Sequence, residues 1–139
     1  MEKEIRNILV TKVAAVKSRD VEKATSAYSE DVICFDVVGP LQFIGVKGVQ
    51  KRLREWLSTL NEIVDFEVTD VKITASNNTA FSTSLNHINA KTITGDKLDM
   101  FWRETICYTR IYDEVKITHS HSSVPFDAES GQASTGLKP

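Results

Sequence analysis

The sequence has few cysteines and lacks the short motifs that mark several large enzyme classes. It contains two cysteines and no CxxC pair or Cys/His cluster, which argues against a structural zinc site. It has no GxGxxG, GxxxxGKS/T or GxSxG motif. This absence disfavours dinucleotide-dependent redox chemistry, P-loop nucleotide hydrolysis and α/β-hydrolase acyl transfer. No apolar run approaches the length of a membrane-spanning helix, so we expect no membrane partner.

An excess of charge of either sign is also missing. Seventeen Lys and Arg stand against nineteen Asp and Glu, which gives a formal net charge of −2. A protein that neutralises phosphates usually leans basic, so we expect no nucleic-acid partner. The 139 residues, 41% of them hydrophobic, fit one globular domain. The charged start Met1-Glu2-Lys3-Glu4 is unlike a secretory signal, and we expect a cytoplasmic protein.

The two cysteines, Cys34 and Cys107, each lie in an apolar, strand-like run. This setting favours buried free thiols, while a disulfide between neighbouring strands stays open.

The first half of the chain has the periodicity of helices. Apolar residues at helical spacing predict an amphipathic helix over about residues 2–17. Asp20 is a good N-cap for a short second helix. A third helix is predicted after Gly45, with one apolar face that ends at Leu60.

The second half of the chain has the alternation of strands. The apolar residues of the first predicted long strand change from even to odd positions near Thr69-Asp70, which predicts a β-bulge. Helices followed by a run of antiparallel strands indicate an α+β fold, in which one curved sheet is wrapped by three N-terminal helices and encloses one pocket. We predict a domain over 1–126 and a polar, mobile tail over 127–139. The predicted strands cover 32–38, 41–44, 62–76, 79–91, 98–112 and 114–124.

The last predicted strand places two histidines on one face. Val115, Ile117, His119, His121 and Ser123 alternate with polar residues, and the two apolar members predict that this face points inward. Two interpretations stay open. The histidines are either core residues with backbone or hydroxyl partners, or part of a polar pocket.

A His-x-His pair on a strand can also chelate a metal. The third ligand would be Asp36 or His87, but nothing in the sequence fixes it, so we expect no metal and no other cofactor. Asp36 itself lies in an apolar run. It is either an edge residue that faces water or a carboxylate in a cavity, where it could act as a general base.

The long strand 98–112 has two faces that alternation does not distinguish. One face carries Phe101, Arg103, Thr105 and Cys107, and the other carries Trp102, Glu104, Ile106 and Tyr108. Aromatic residues elsewhere have a similar ambiguity, since they could be core residues or line a ligand cavity. These are Tyr28, Phe43, Trp56 and Trp102.

The ending His119-Ser120-His121-Ser122-Ser123-Val124-Pro125-Phe126-Asp127 is the most specific pattern in the chain, HxHxSVPFD. Three weaker stretches accompany it: Tyr28-Ser29-Glu30-Asp31, Phe35-Asp36-Val37-Val38-Gly39-Pro40-Leu41 before Gly45, and Asp99-Met100-Phe101-Trp102-Arg103-Glu104-Thr105. Together, over residues 4–130, they resemble the SnoaL-like and ketosteroid-isomerase-like branch of the nuclear transport factor two superfamily.

This resemblance implies a cone-shaped α+β fold with a pocket, and a homodimer formed through the sheet. Asp36 falls where the isomerases keep their general base. The tyrosine that these enzymes carry in the first helix has no counterpart in Thr11-Lys12-Val13, and their protonated aspartic acid falls near Tyr108 or is absent. The resemblance therefore suggests acid–base chemistry without settling the reaction, because one fold hosts many functions.

We accordingly expect a pocket protein with isomerase, cyclase or lyase chemistry on a small ligand that is either apolar or carries a carbonyl or carboxylate group. The alternative is a non-catalytic ligand-binding or dimerisation module of the same fold. The candidate catalytic residues are Asp36, His119, His121 and Arg103. The candidate ligand-binding residues are Tyr28, Phe43, Trp56, His87, Trp102, Thr105 and Ser123.

Overall fold

The computed structural model describes all 139 residues and has three helices and six strands. The predicted α+β class is confirmed, with every helix before the four long strands. No helix is long and apolar enough to cross a membrane. The elements are α1 (Glu2–Lys17), α2 (Val21–Ala24), β1 (Tyr28–Phe35), β2 (Phe43–Ile44), α3 (Val46–Ser58), β3 (Leu60–Ala75), β4 (Thr79–Thr92), β5 (Lys97–Ile111) and β6 (Glu114–Ser123).

The six strands form one curved, open sheet in the order β2-β1-β6-β5-β4-β3. Four of the five strand pairs are antiparallel, and β1 runs parallel to β6. The predicted bulge in β3 is present, because the β3–β4 register shifts between Thr69 and Lys72, and Asp70 has a φ of 51°. The outer strand β3 bends there, which is how a bulge adds curvature to a sheet.

The starts of α2 and α3 lie where the sequence predicts them, directly after Asp20 and Gly45. Asp20 caps α2, since its carboxylate accepts a hydrogen bond from the Lys23 amide at 3.1 Å. Gly45 precedes α3 with a φ of 82°, and a Cβ there would lie 3.3 Å from the Glu30 carbonyl oxygen. Only glycine meets both conditions without strain.

The hydrophobic core consists of two clusters, and α1 contributes to both. Ile5 and Leu9, in the first half of α1, pack with the end of the sheet that carries Ile117. Ala15 and Val16, in its last turns, pack with α2, α3 and the other end of the sheet. The residues of α1 between these two groups therefore lie between the two clusters.

A bulge in β6 changes which of its side chains face the helices. Cys107 pairs with His119 and Tyr108 pairs with Ile117, so Thr118 is an extra residue in β6. Val115 and Ile117 face inward before the bulge, but Ser120 and Ser122 face inward after it. The prediction that His119 and His121 point into the interior was therefore wrong.

Two other boundaries differ from the sequence prediction. β1 begins at Tyr28 rather than at residue 32, and it ends at Phe35. Asp36 thus follows the strand instead of lying within it. The 127–139 segment stays a predicted mobile tail; in the structure Phe126 forms an isolated bridge with Ala133, and Lys138 Nζ lies 3.0 Å from Asp99 Oδ1.

Replacing Ile117 by alanine tests the inward direction of β6 before the bulge. Ile117 is fully buried, so Ile117→Ala should lower the free energy of unfolding by about 2–5 kcal/mol. The matched control is Ile33→Ala on the neighbouring strand, where the side chain is 39% exposed and the loss should be under about 1 kcal/mol. Urea unfolding measures both. Equal losses would contradict the assigned register.

Candidate functional site

A cavity of about 290 Å³ lies between the helices and the inner face of the sheet. We define the inner face by the side chains that line this cavity, which include Asn86 and Ile88 of β4 and Trp102 and Glu104 of β5. Sixteen of the 24 lining residues are hydrophobic. A largely apolar cavity with a few converging polar groups is the usual form of a small-molecule site.

One wall of the cavity is aromatic. Trp56 of α3 meets Trp102 of β5 edge-on, with ring centroids 6.2 Å apart. Phe66 of β3 is stacked on Trp102 at 6.1 Å with an interplanar angle of 24°. Trp56 also meets Phe66 edge-on at 6.4 Å, so the three rings pack against one another and form a continuous apolar wall.

A buried ion pair crosses the cavity from α1 to β5. Lys12 Nζ lies 3.5 Å from Glu104 Oε2, and the two side chains are only 13% and 7% exposed. The ammonium also lies 5.7 Å from the centroid of the Tyr28 ring. We call this pair the inner polar site.

The Glu104 carboxylate is held from the sheet side as well. Asn86 Nδ2 donates to Oε1 at 3.1 Å, and Ser122 Oγ donates to Oε2 at 3.4 Å. Ser84 Oγ in turn donates to Asn86 Oδ1 at 3.0 Å. Both carboxylate oxygens therefore have partners from neighbouring strands, which fixes the orientation of the group that faces Lys12.

The charges of the inner polar site follow from these contacts. Burial disfavours the Lys12 ammonium, but the Glu104 carboxylate and the neighbouring Tyr28 outweigh it, and the pKa of Lys12 is raised. Burial raises the pKa of the Tyr28 phenol. It also raises the pKa of Tyr108, to about 12, although Ser82 hydrogen-bonds to that hydroxyl at 2.9 Å. At neutral pH the site therefore contains an ammonium next to neutral phenols.

A second ion pair lies at the more exposed side of the cavity, which we call the mouth. Arg52 Nε donates to Asp36 Oδ2 at 3.0 Å, and the side chains are 22% and 28% exposed. The other carboxylate oxygen accepts from the Val37 amide at 2.6 Å. Asp36 thus lines the cavity through a fixed carboxylate that also orients an arginine.

The structure brings five of the candidate site residues together and leaves six elsewhere. The five that line the cavity are Asp36, Tyr28, Phe43, Trp56 and Trp102. The other six lie on the outer face of the sheet, which is the face opposite the cavity: Arg103, Thr105, His87, His119, His121 and Ser123. The expectation that Arg103 and the two histidines share a pocket with Asp36 was wrong.

The reason why these side chains point outward differs between β4, β5 and β6. On β5 the ambiguous alternation resolves with Glu104 inward and Arg103 outward. On β4 the neighbours of His87 point inward, so His87 itself points outward. On β6 the bulge at Thr118 turns both histidines to the outer face.

Two of the three outward histidines have hydrogen-bond partners within the protein. His119 Nδ1 lies 2.7 Å from the Ile33 carbonyl oxygen, so it donates to that oxygen. His87 is stacked on Phe101 with ring centroids 4.1 Å apart, and its Nε2 lies 2.6 Å from Asp99 Oδ1. Burial lowers the pKa of His87, but hydrogen bonds to Asp99 and Glu67 outweigh this and raise it. These contacts account for His119 and His87 as parts of the outer surface of the sheet.

Sequence reasoning missed Lys12 and Arg52 and left the face of Glu104 undecided, although a signal for Lys12 and Glu104 is present. Lys12 lies seven residues after Ile5 and four before Val16, so it occupies the apolar stripe of α1. Glu104 likewise shares a strand face with apolar and aromatic residues. The apolar face of α1 and the apolar face of β5 must both be buried, and each carries one charge of opposite sign. This combination predicts that Lys12 and Glu104 form a buried ion pair. Arg52, in contrast, has no comparable signal, because it is one of several basic residues in α3.

Both cysteines are free thiols, with Cys34 in the cavity wall and Cys107 on the outer face. The prediction of free thiols is confirmed for both residues, but only Cys34 is buried, since Cys107 is partly exposed.

Known proteins match this chain in sequence and in fold. The model of the SnoaL-like domain matches residues 5–127. The chain belongs to the SnoaL-like domain family. No curated protein sequence matches the chain.

Solved structures agree with this assignment. An NTF2-like protein of unknown function from Pseudomonas putida KT2440 is 28% identical, with a TM-score of 0.88 over 99% of this chain and 96% of that one. An uncharacterised protein with a cystatin-like fold from Caulobacter vibrioides is 14% identical, with a TM-score of 0.75 over 93% and 92%. A ketosteroid isomerase-like protein from Erwinia carotovora atroseptica SCRI1043 is also 14% identical, with a TM-score of 0.73 over 87% and 93%. At these identities the last two show the fold alone.

The coupling between Lys12 and Glu104 can be measured with a double-mutant cycle. Lys12→Met or Glu104→Leu leaves one buried charge without its partner, and each should cost about 3–5 kcal/mol of unfolding free energy. The double variant removes both charges and should cost much less than the sum. Chemical denaturation measures all four proteins.

The control for this cycle is Lys17→Met on the same helix. Lys17 pairs with Asp65 at 2.7 Å, but both side chains are nearly half exposed, so the loss should be at most about 1 kcal/mol. Additive effects of Lys12→Met and Glu104→Leu would contradict a buried, coupled pair.

Proposed function

We propose that the cavity of this SnoaL-like protein binds a small organic molecule with an apolar body and a carbonyl or hydroxyl oxygen that reaches Lys12. The observation that carries this proposal is the Lys12–Glu104 pair inside a cavity that is otherwise mostly apolar. Both partners are buried, opposite in charge and held by further hydrogen bonds. Polar groups of this kind orient a ligand whose remaining surface is apolar.

Stability alone is a poor explanation for the pair. Removing two charges from water costs several kcal/mol per ion, and well-packed apolar residues often serve a core as well or better. An ammonium has three N–H donors, and the side-chain partners of Lys12 are the Glu104 carboxylate and the Tyr28 hydroxyl. At least one donor therefore remains for a ligand oxygen. Glu104 keeps the ammonium charged and directs it.

The rest of the cavity suits the apolar part of such a ligand. The rings of Trp56, Phe66 and Trp102 form one wall, and the volume of about 290 Å³ fits a small molecule of one or two rings. Burying such a body supplies most of the binding free energy, and the contact to Lys12 supplies the orientation.

A second candidate function is proton transfer on a carbon acid, as the name of the ketosteroid isomerase-like neighbour suggests. One specific observation favours it: a carboxylate, Asp36, and an ammonium, Lys12, line the same cavity. Asp36 would take a proton next to the ligand carbonyl, and Lys12 would stabilise the charge that develops on the carbonyl oxygen. Lys12 thereby replaces Arg103 and His121, which face away from the cavity.

Binding of neutral ketones tests the first proposal. 2-Tetralone and acetophenone should bind the wild-type protein, as measured by ligand-observed NMR and calorimetry. The apolar double variant Lys12→Met/Glu104→Leu should bind them about tenfold or more weakly, which corresponds to about 1.4 kcal/mol. Lys17→Met should bind like the wild type, because Lys17 lies outside the cavity.

The double variant is used because it leaves no buried charge unpaired, and its thermal unfolding is recorded alongside. Failure of both ketones to bind the wild type, or equal binding by the folded double variant, would contradict the proposal.

Hydrogen–deuterium exchange tests the second candidate. The protein in D2O should accelerate exchange of the protons on C1 and C3 of 2-tetralone above the buffer rate. Asp36→Asn should reduce the protein-dependent rate by about 10²–10⁴, the usual contribution of a general base. Asp31→Asn, an exposed change, is the control. Binding without accelerated exchange would leave the ligand-binding function and exclude Asp36 as a base for this ketone.

A further inference from the structure

We infer that the ligand of this cavity is an organic acid, whose carboxylate is bound at the mouth by the two Nη atoms of Arg52. This inference rests on the proposed small-molecule function of the cavity and adds the chemical class of the ligand. It also gives Asp36 a second role, as the residue that positions Arg52.

Arg52 differs from the other arginines in how its guanidinium is used. Its Nε donates to Asp36, while Nη1 and Nη2 make no hydrogen bond to a protein acceptor. Arg52 nevertheless lines the cavity and is only 22% exposed. Four of the other five arginines, Arg6, Arg19, Arg54 and Arg110, donate to protein acceptors through Nη atoms.

The remaining arginine, Arg103, donates only through Nε, to Ser123 at 3.2 Å, but it lies on the outer face of the sheet. Arg52 is therefore the arginine that combines a place in the cavity wall with two Nη atoms free of protein acceptors.

Asp36 fixes the direction of the Arg52 guanidinium, and with it the direction of the two Nη atoms that have no protein acceptor. Its Oδ2 accepts a hydrogen bond from Arg52 Nε at 3.0 Å, and its Oδ1 accepts one from the Val37 amide. Because the guanidinium is planar, holding Nε also sets the plane in which the Nη donors lie. A planar pair of N–H donors matches the two oxygens of a carboxylate and favours bidentate binding.

The charge of the cavity permits an anion. Its ionised lining groups are Lys12, Arg52, Asp36 and Glu104, two of each sign. Each carboxylate is already paired with a cation, so the cavity has no unpaired negative charge that would repel an acid. Geometry at Arg52, rather than a strongly positive field, would select the carboxylate.

The two ion pairs also define where the parts of the ligand lie. The carboxylate is at the partly exposed mouth, the apolar body lies along the aromatic wall, and a carbonyl or hydroxyl oxygen reaches the inner polar site. This arrangement fits a small oxo- or hydroxy-acid with an aryl or alkyl body. An acid also keeps its charge near water, where ionisation costs least.

A keto acid and its neutral amide test this inference. The probes are 4-oxo-4-phenylbutanoate and 4-oxo-4-phenylbutanamide, which differ only at the group that would meet Arg52. Calorimetry at pH 7 should show that the wild type binds the acid about tenfold or more tightly than the amide, as expected for charge-assisted hydrogen bonds. Arg52→Met, made in the Asp36→Asn background so that no unpaired carboxylate is left at the mouth, should reduce this ratio to about one.

Two further variants separate charge from geometry. Arg52→Lys keeps the charge but loses the planar fork, so the preference for the acid should be intermediate. Asp36→Asn keeps an oxygen that accepts from Nε, so the preference for the acid should persist. Arg54→Met is the matched control on α3, because Arg54 pairs with Glu22 outside the cavity. Thermal unfolding checks that every variant is folded.

The acid-to-amide ratio is measured within one protein, so partial loss of stability does not mimic the result. Equal binding of acid and amide by the wild type, or the same ratio in Asp36→Asn with and without Arg52→Met, would overturn the inference. If 2-tetralone still binds in a Lys12-dependent way, the proposed function stands and only the ligand class is wrong. If no probe binds, both are contradicted.

Discussion

The ion pair between Lys12 and Glu104 is the constraint around which the rest of this structure is arranged. It joins α1 to β5 at the point where the hydrophobic core is interrupted. Ile5 and Leu9 belong to one core cluster, and Ala15 and Val16 belong to the other. Lys12 lies between them on the same helix. The buried face of α1 is apolar on both sides of Lys12, and the cavity lies beside this one charged position.

The pair constrains its surroundings because buried charges need partners. Glu104 needs Asn86 and Ser122 as well as Lys12, and Asn86 needs Ser84. These residues come from three adjacent strands, so the sheet must keep one register for all contacts to form. This network of hydrogen bonds therefore fixes the strand register at the cavity wall more strictly than apolar packing alone would. The result is a rigid, oriented ammonium that faces an apolar space, which is how a site is organised before its ligand arrives.

The helices and strands of this fold were predictable because their periodicity is local. α1 matches its predicted bounds, and the bulge at Thr69-Asp70 was visible as a change of parity between apolar residues. The bulge at Thr118 was not visible, since the residues after it are histidines and serines, whose polarity does not reveal a face. One extra residue there exchanged two histidines for two serines at the cavity. The same limit applied to β5, where Arg103 and Glu104 are adjacent charges on faces of similar composition.

Because the serines rather than the histidines face the cavity, the HxHxSVPFD ending has a different structural meaning from the one expected. In the ending His119-Ser120-His121-Ser122-Ser123, the histidines lie on the outer face, and Ser120 and Ser122 line the cavity. His119 is bound to the Ile33 carbonyl oxygen and meets Phe35 edge-on at 4.8 Å, so in this chain it joins β6 to β1. In this chain the first histidine of the pattern therefore helps to assemble the sheet, while its serines contribute to the cavity wall. Three of the charged residues that line the cavity, Lys12, Glu104 and Arg52, lie outside that ending and on three different elements.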